Sequence, residues 1–140
     1  MAKFARQFHV IADHKKLNIY AGGGADYAIS AAFLKNRREE AKTFLSCICE
    51  GIALAKKDKA KALEFVTKTV RKSDAAAVDY LYRLYTTEVI PSRPYPKIEG
   101  VDIAIQMLTP FVSAARELKA QELVDATLVG ELEKEGRCNY

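Results

Sequence analysis

The 140-residue chain has no tryptophan, only two histidines and only three cysteines. Nor does it contain the roughly 20-residue apolar run that a helix needs to span a bilayer, so membrane insertion is not expected. His9 and His14, five apart across an expected strand and turn, match no metal-ligand spacing. Cys47 and Cys49 lie two apart on an expected helix and so point to different faces, unable to grip a metal together. With Cys138 remote from both, buried or bystander thiols are expected and a disulfide framework is not. "MAKFARQFHV" passes from charge straight into a short mixed segment instead of the apolar core of a secretion signal. As written, the chain is expected in the cytoplasm.

Charge of one sign is also missing. Against 22 Lys and Arg stand 18 Asp and Glu, for a net +4, and both signs are interspersed along the expected helices. Nucleic-acid binding calls for clustered basic residues with interleaved aromatics. The nearest run, "KNRREEAK" at 35–42, is partly cancelled by Glu39 and Glu40, so no nucleic-acid partner is expected. A composition of 49% hydrophobic and 29% charged residues suits a soluble globular protein. The length suits one domain over 1–140.

What is present is helical periodicity. The first third alone has strand character: "FHVIAD" (8–13) and "LNIYAGG" (17–23) are short, β-branched and aromatic, with a polar turn between them. "ADYAISAAF" (25–33) alternates like a strand and then becomes alanine-rich, so a strand running into a helix is expected. From Arg37 the period changes. Ala41, Phe44, Leu45, Ile48, Ile52 and Ala55 share a helical face over 37–56, which "KKDK" ends. A second helix carries Ala60, Leu63, Val66 and Val70. Ser73 can cap a third that begins at Asp74. Its Tyr80, Leu81, Tyr82, Leu84 and Tyr85 give apolar coverage wide enough for burial on more than one side.

Three of the four prolines then fall in "PSRPYP", where each fixes φ and pushes its predecessor out of the helical region. The third helix must stop near Ile90. A fourth, with Val101, Ile105 and Leu108 on one face, is expected from about Ile98 to Pro110, so the corner sets an angle between two helices. A loop through "SAARELKAQ" leads to a last short helix, opened by Asp125 or Thr127 and closed by Gly136. The expected fold is mainly α, of the α+β class, with four to five helices and two or three short strands near the N-terminus.

No nucleophile elbow or acid–base pair is evident. "AGGGAD" (21–26) lacks the lysine and spacing of a phosphate loop and reads as a turn or hinge. Glu131, Glu133 and Glu135 read as a solvated face, and the tyrosines as core.

Taken together, several stretches resemble the C-terminal portion of periplasmic solute-binding proteins of ABC transporters, in the branch that handles nitrate, sulfonates, taurine and the pyrimidine precursor of thiamine. "YTTEVIPSRPYPKIEGVDIAIQML" looks like that family's Tyr-rich helix end, "PYP"-type corner and "xEG" helix start. "FHVIAD" is similar to a strand of the type "FRVLAD", and "AAFLKNRREEAKTFLSCICEGIALAKKDKAKALEFVTKTV" to the helix pair that begins "xxFLKENPEVVKRFLKAxxEGI". "ELVDATLVGELEKEG" resembles the closing "FVDxxFLxELEKxG". The likeness runs from about Phe8 to Gly136. It divides the chain into a leader (1–7), a strand and hinge segment (8–33), a helical segment (34–136) and a tail (137–140).

The resemblance implies a type II binding-protein fold of which only the later part is present, either as a fragment or as a standalone remnant, and a periplasmic setting for the longer family members. Against the family's "GTGLATTRAFL", the run "GADYAISAAFL" keeps Gly24 and Ser30 but has Ala25 and Ile29 where threonines are usual, and Arg37 stands where proline follows "KEN". Gly23, Gly24 and Ser30 are thus the candidate ligand-binding residues, and lost hydroxyls weaken recognition of an anion.

Two readings follow. One is a module whose ancestral role is capture of a small anionic or heterocyclic solute, with no enzyme activity and no cofactor. The other is a helical interaction or structural domain that has lost its ligand. Faces such as Phe44, Ile48 and Ile52, or Tyr82 and Tyr85, would pack on the family's missing sheet. Left bare they favour self-association, most simply a two-fold dimer.

Overall fold

The computed structural model of the protein describes residues 27–69 and 74–138. Among these, residues 27–69, 74–95 and 126–138 form one compact unit, and residues 96–125 belong to a second.

In the first unit, Ser30 caps a short helix α1 (Ala31–Asn36), its hydroxyl accepting from the Phe33 N–H at 3.1 Å. The long helix α2 (Arg38–Lys57) follows after one residue. Asp58 both ends α2 and starts α3 (Lys59–Thr69), because its carboxylate accepts from the Lys61 N–H at 3.0 Å. Its anion at the helix start is favoured there, and that hydrogen bond holds its carboxyl below the usual range. Asp74 caps α4 (Ala75–Leu84) by accepting from Ala76 at 2.7 Å and Ala77 at 3.3 Å. The cap is thus Asp74 itself; Ser73 lies outside the described residues.

One wide π-type turn, Tyr85–Val89, completes α4. Ile90, just before Pro91, is then extended (φ −83°, ψ 113°), as a residue before proline must be. The unit closes with α7 (Thr127–Lys134). Lys56 donates to the Thr86 carbonyl at 3.0 Å and Tyr82 to the Ala55 carbonyl at 2.9 Å, which ties the C-terminal end of α2 to α4 and the turn after it. Lys59 adds an ion pair to Asp79 at 2.5 Å.

In the second unit, α5 (Ile98–Leu108) is followed by a 3₁₀ turn (Ser113–Glu117) and a four-residue helix α6 (Ala120–Leu123). Among its described residues, Ala115 and Ala120 are buried.

The described residues contain seven α-helices and no strand, which corrects the α+β expectation and the expected count of four to five helices. "FHVIAD" and "LNIYAGG" lie outside the described residues. In "ADYAISAAF", Tyr27–Ser30 has no regular structure and the helix begins at Ala31. An extended segment becomes a strand only by pairing, and here the serine ends it by capping a helix. The "SAARELKAQ" loop holds a 3₁₀ turn and the start of α6, each with a buried alanine. Helix α4 buries Val78 alone, while Leu81 and Tyr85 stay about half exposed. Of the side chains expected to lie bare on α2, Phe44 is half exposed and contacts Tyr27 edge to face, and Ile48 and Ile52 are intermediate.

Candidate functional site

The densest polar cluster among the described residues is built by α2, α7 and the proline corner. Arg38 and Lys42, one turn apart on α2, face Glu131 and Glu135, one turn apart on α7. The Arg38 guanidinium pairs with Glu131 and donates to the Thr127 hydroxyl at 3.1 Å. Lys42 reaches Glu131 at 3.3 Å and Glu135 at 2.5 Å. Numbers rise together on the two helices, so α7 runs parallel to the first half of α2. Below these pairs, Leu132 is fully buried against Cys49 and Cys138, with Leu45 packed beside them.

The corner grips α7 from another side. Arg93 pairs with Glu133 at 2.6 Å, and the Tyr95 hydroxyl donates to the other oxygen of the same carboxylate at 2.6 Å. Prolines 91, 94 and 96 restrict the segment, and around Pro94 the Tyr95 N–H donates to the Arg93 carbonyl at 2.9 Å, a tight turn that carries both side chains. The hydroxyl bonded to Glu133 keeps its proton above the ordinary tyrosine range. Arg38 first, then Lys42, hold the Glu131 carboxyl low against partial desolvation. Lys42 is in turn held protonated above its ordinary value, chiefly by Glu135. The three glutamates are therefore not a solvated face: each is an ion-pair partner, and the alternate spacing aims Glu133 at the corner and the other two at α2.

Chemically this is an array of satisfied opposite charges, suited to clamping helices. The groups that would have to move a proton are committed to partners. Among the described residues no group of three or more His, Cys, Asp or Glu could hold a metal ion, and no helix is long and apolar enough to cross a membrane. Of the expected ligand-binding residues, Gly23 and Gly24 lie outside the described residues, as do His9 and His14. Ser30 is the N-cap of α1, its oxygen occupied by the Phe33 amide.

Sequence reasoning missed the cross-link. Cys49 and Cys138 form a disulfide across 89 residues, with a Cα–Cα distance of 5.3 Å, and Cys47 is a free, exposed thiol. Burial of Cys49 and Cys138 is what brings them together: α7 lies on the face of α2 that carries Cys49, and a turn after α7 returns the chain to it. No local spacing signals a pair so far apart. Only the parallel register of Arg38 with Glu131 and Lys42 with Glu135, which carries the end of α7 along α2 toward Cys49, points to it. Compared with known proteins, the sequence matches no family model, and no curated protein or solved structure matches it.

Proposed function

We propose that the protein is a helical interaction domain that self-associates through an apolar surface in its second unit. The observation that carries this is the cluster at the end of α5: Phe111 is 87% exposed, Met107 59%, Leu108 50% and Val112 48%. Phe111 and Val112 both donate to the Leu108 carbonyl at 2.9 Å, so the turn holds these side chains at fixed positions. Four adjacent large apolar residues left in water are a liability in a monomer and an asset in an interface, where aromatic and methionine side chains are enriched. The simplest arrangement covers the cluster with its own copy about a two-fold axis.

Sedimentation velocity over micromolar to hundred-micromolar concentrations tests the reading. A concentration-dependent dimer, abolished by Met107→Ser with Phe111→Ser, is the expected outcome. A monomer throughout that range overturns it.

A second reading rests on the resemblance to solute-binding proteins, which the "PYPKIEG" corner and the "AAFLKNRREEAKTFL" helix carry. On that reading the chain descends from the C-terminal portion of such a protein and retains capture of a small anion or heterocycle near Gly23, Gly24 and Ser30. A thermal-shift panel of nitrate, taurine, alkanesulfonates and thiamine-type pyrimidines decides it. Saturation at a hundred times the dissociation constant adds about 2.7 kcal/mol, a shift of several degrees, and a flat panel removes the reading.

A further inference from the structure

We propose that the Cys49–Cys138 disulfide is a redox latch that holds α7 on α2, and that a dithiol reductant opens it without unfolding the rest of the first unit. Helix α7 has only eight residues, too few to be stable alone, so its attachments decide whether it is formed. Besides the grip of Arg93 and Tyr95 on Glu133, those attachments fall into two groups along α2. Near its start are ion pairs, Arg38 and Lys42 with Glu131 and Glu135, whose side chains are partly exposed and individually weak. Two turns further on is the disulfide, packed against Leu132.

Between α7 and Cys138 the chain makes a tight reversal. Gly136 takes φ 74°, its N–H donates to the Glu133 carbonyl at 3.0 Å, and the Arg137 N–H donates to the Leu132 carbonyl at 2.9 Å. This pair of bonds is the Schellman arrangement, and it aims Cys138 at Cys49. Glu135, Gly136 and Arg137 are all exposed, so the reversal can open locally and admit a reductant to the sulfurs.

The chemistry is a two-electron exchange. One thiolate of a dithiol, of the dithiothreitol or Cys-x-x-Cys type, attacks one sulfur of the pair. The S–S bond breaks, a mixed disulfide forms, and the other cysteine leaves as a thiolate and takes up a proton. The second thiol of the reductant then displaces the remaining cysteine and leaves the reductant as a disulfide, with two protein thiols. Cys47 does not shuffle the bond. It lies two residues from Cys49 on the same helix, about 200° around the axis, so its sulfur points away from the pair. The latch therefore has two discrete states. Opening it uncovers the apolar side chains of Leu45 and Leu132 that the closed state covers.

Hydrogen exchange read by mass spectrometry on the full chain tests this, oxidised and after dithiothreitol. Amides of α7 should exchange about tenfold faster or more once reduced, those of α4 should change by less than about twofold, and reoxidation should restore both. Cys138→Ser should reproduce the reduced pattern without reductant, and Cys47→Ser should leave both states as in the natural chain. Alkylation of all three cysteines in protein kept free of reductant would overturn the proposal, since no bond would exist. So would unchanged α7 protection on reduction. Loss of α4 protection together with α7 would also overturn it, making the bond a structural staple.

Discussion

Glu131 and Tyr95 are shifted in opposite directions by their partners and give the first unit two opposite pH dependences. Glu131 is held below its ordinary value of about 4.3 by Arg38 and Lys42, so what it contributes is fully present above that value and is lost as pH falls through the lowered one. Tyr95 is shifted the other way by its bond to Glu133. Its contribution is present below the ordinary value of about 10 and is lost as pH rises through the raised one. Thermal midpoints of the natural chain, Glu131→Gln and Tyr95→Phe across pH check this. Glu131→Gln should lie below the natural chain at pH 7, with the gap closing in strong acid. Tyr95→Phe should also lie below it at pH 7, with the gap closing only in strong alkali. Parallel curves at every pH would mean that neither group titrates with folding. None of these roles was legible from local pattern. Three glutamates at alternate positions look like a polar edge until the partners on α2 and the corner are known.

Helices were the legible part. The period from Arg37 onward located α2 to within a residue, and the stops at "KKDK", at Ile90 and at Pro110 follow from chemistry that acts over four residues or fewer. Elements that depend on distant packing were not legible: the short turns held by Ala115 and Ala120, and the disulfide across 89 residues. Glycines show the difference between local and imposed geometry. Gly51 sits inside α2 with open space where a Cβ would go, so Gly51→Ala should stabilise by about 0.5–1 kcal/mol, the helix-propensity difference alone. Gly136 also has open space but a φ of 74°, and Gly136→Ala should destabilise by about 1–2 kcal/mol. Urea denaturation measures both. Equal effects at the two sites would mean that the reversal after α7 is not needed to seat Cys138.

For the whole molecule, helical periodicity and the prolines lead to a framework of helices and a corner, and the structure gives the corner a local use: it carries Arg93 and Tyr95 to Glu133. The proposed self-association does not depend on the solute-binding resemblance, since it rests on the exposed side chains at the end of α5. The two features that matter most here lie in different units, the apolar cluster in one and the disulfide in the other, so they can be tested against each other. The Met107→Ser, Phe111→Ser chain should be monomeric by sedimentation yet retain the disulfide, the α7 protection and an unchanged response to dithiothreitol. Phe111 at 87% exposure buries almost nothing within its own chain, so removing it costs the fold little. Should that variant lose α7 protection as well, the cluster would be supporting the fold, and its exposure would not mark an interface. A monomer with an intact latch would leave association as what those four side chains are for.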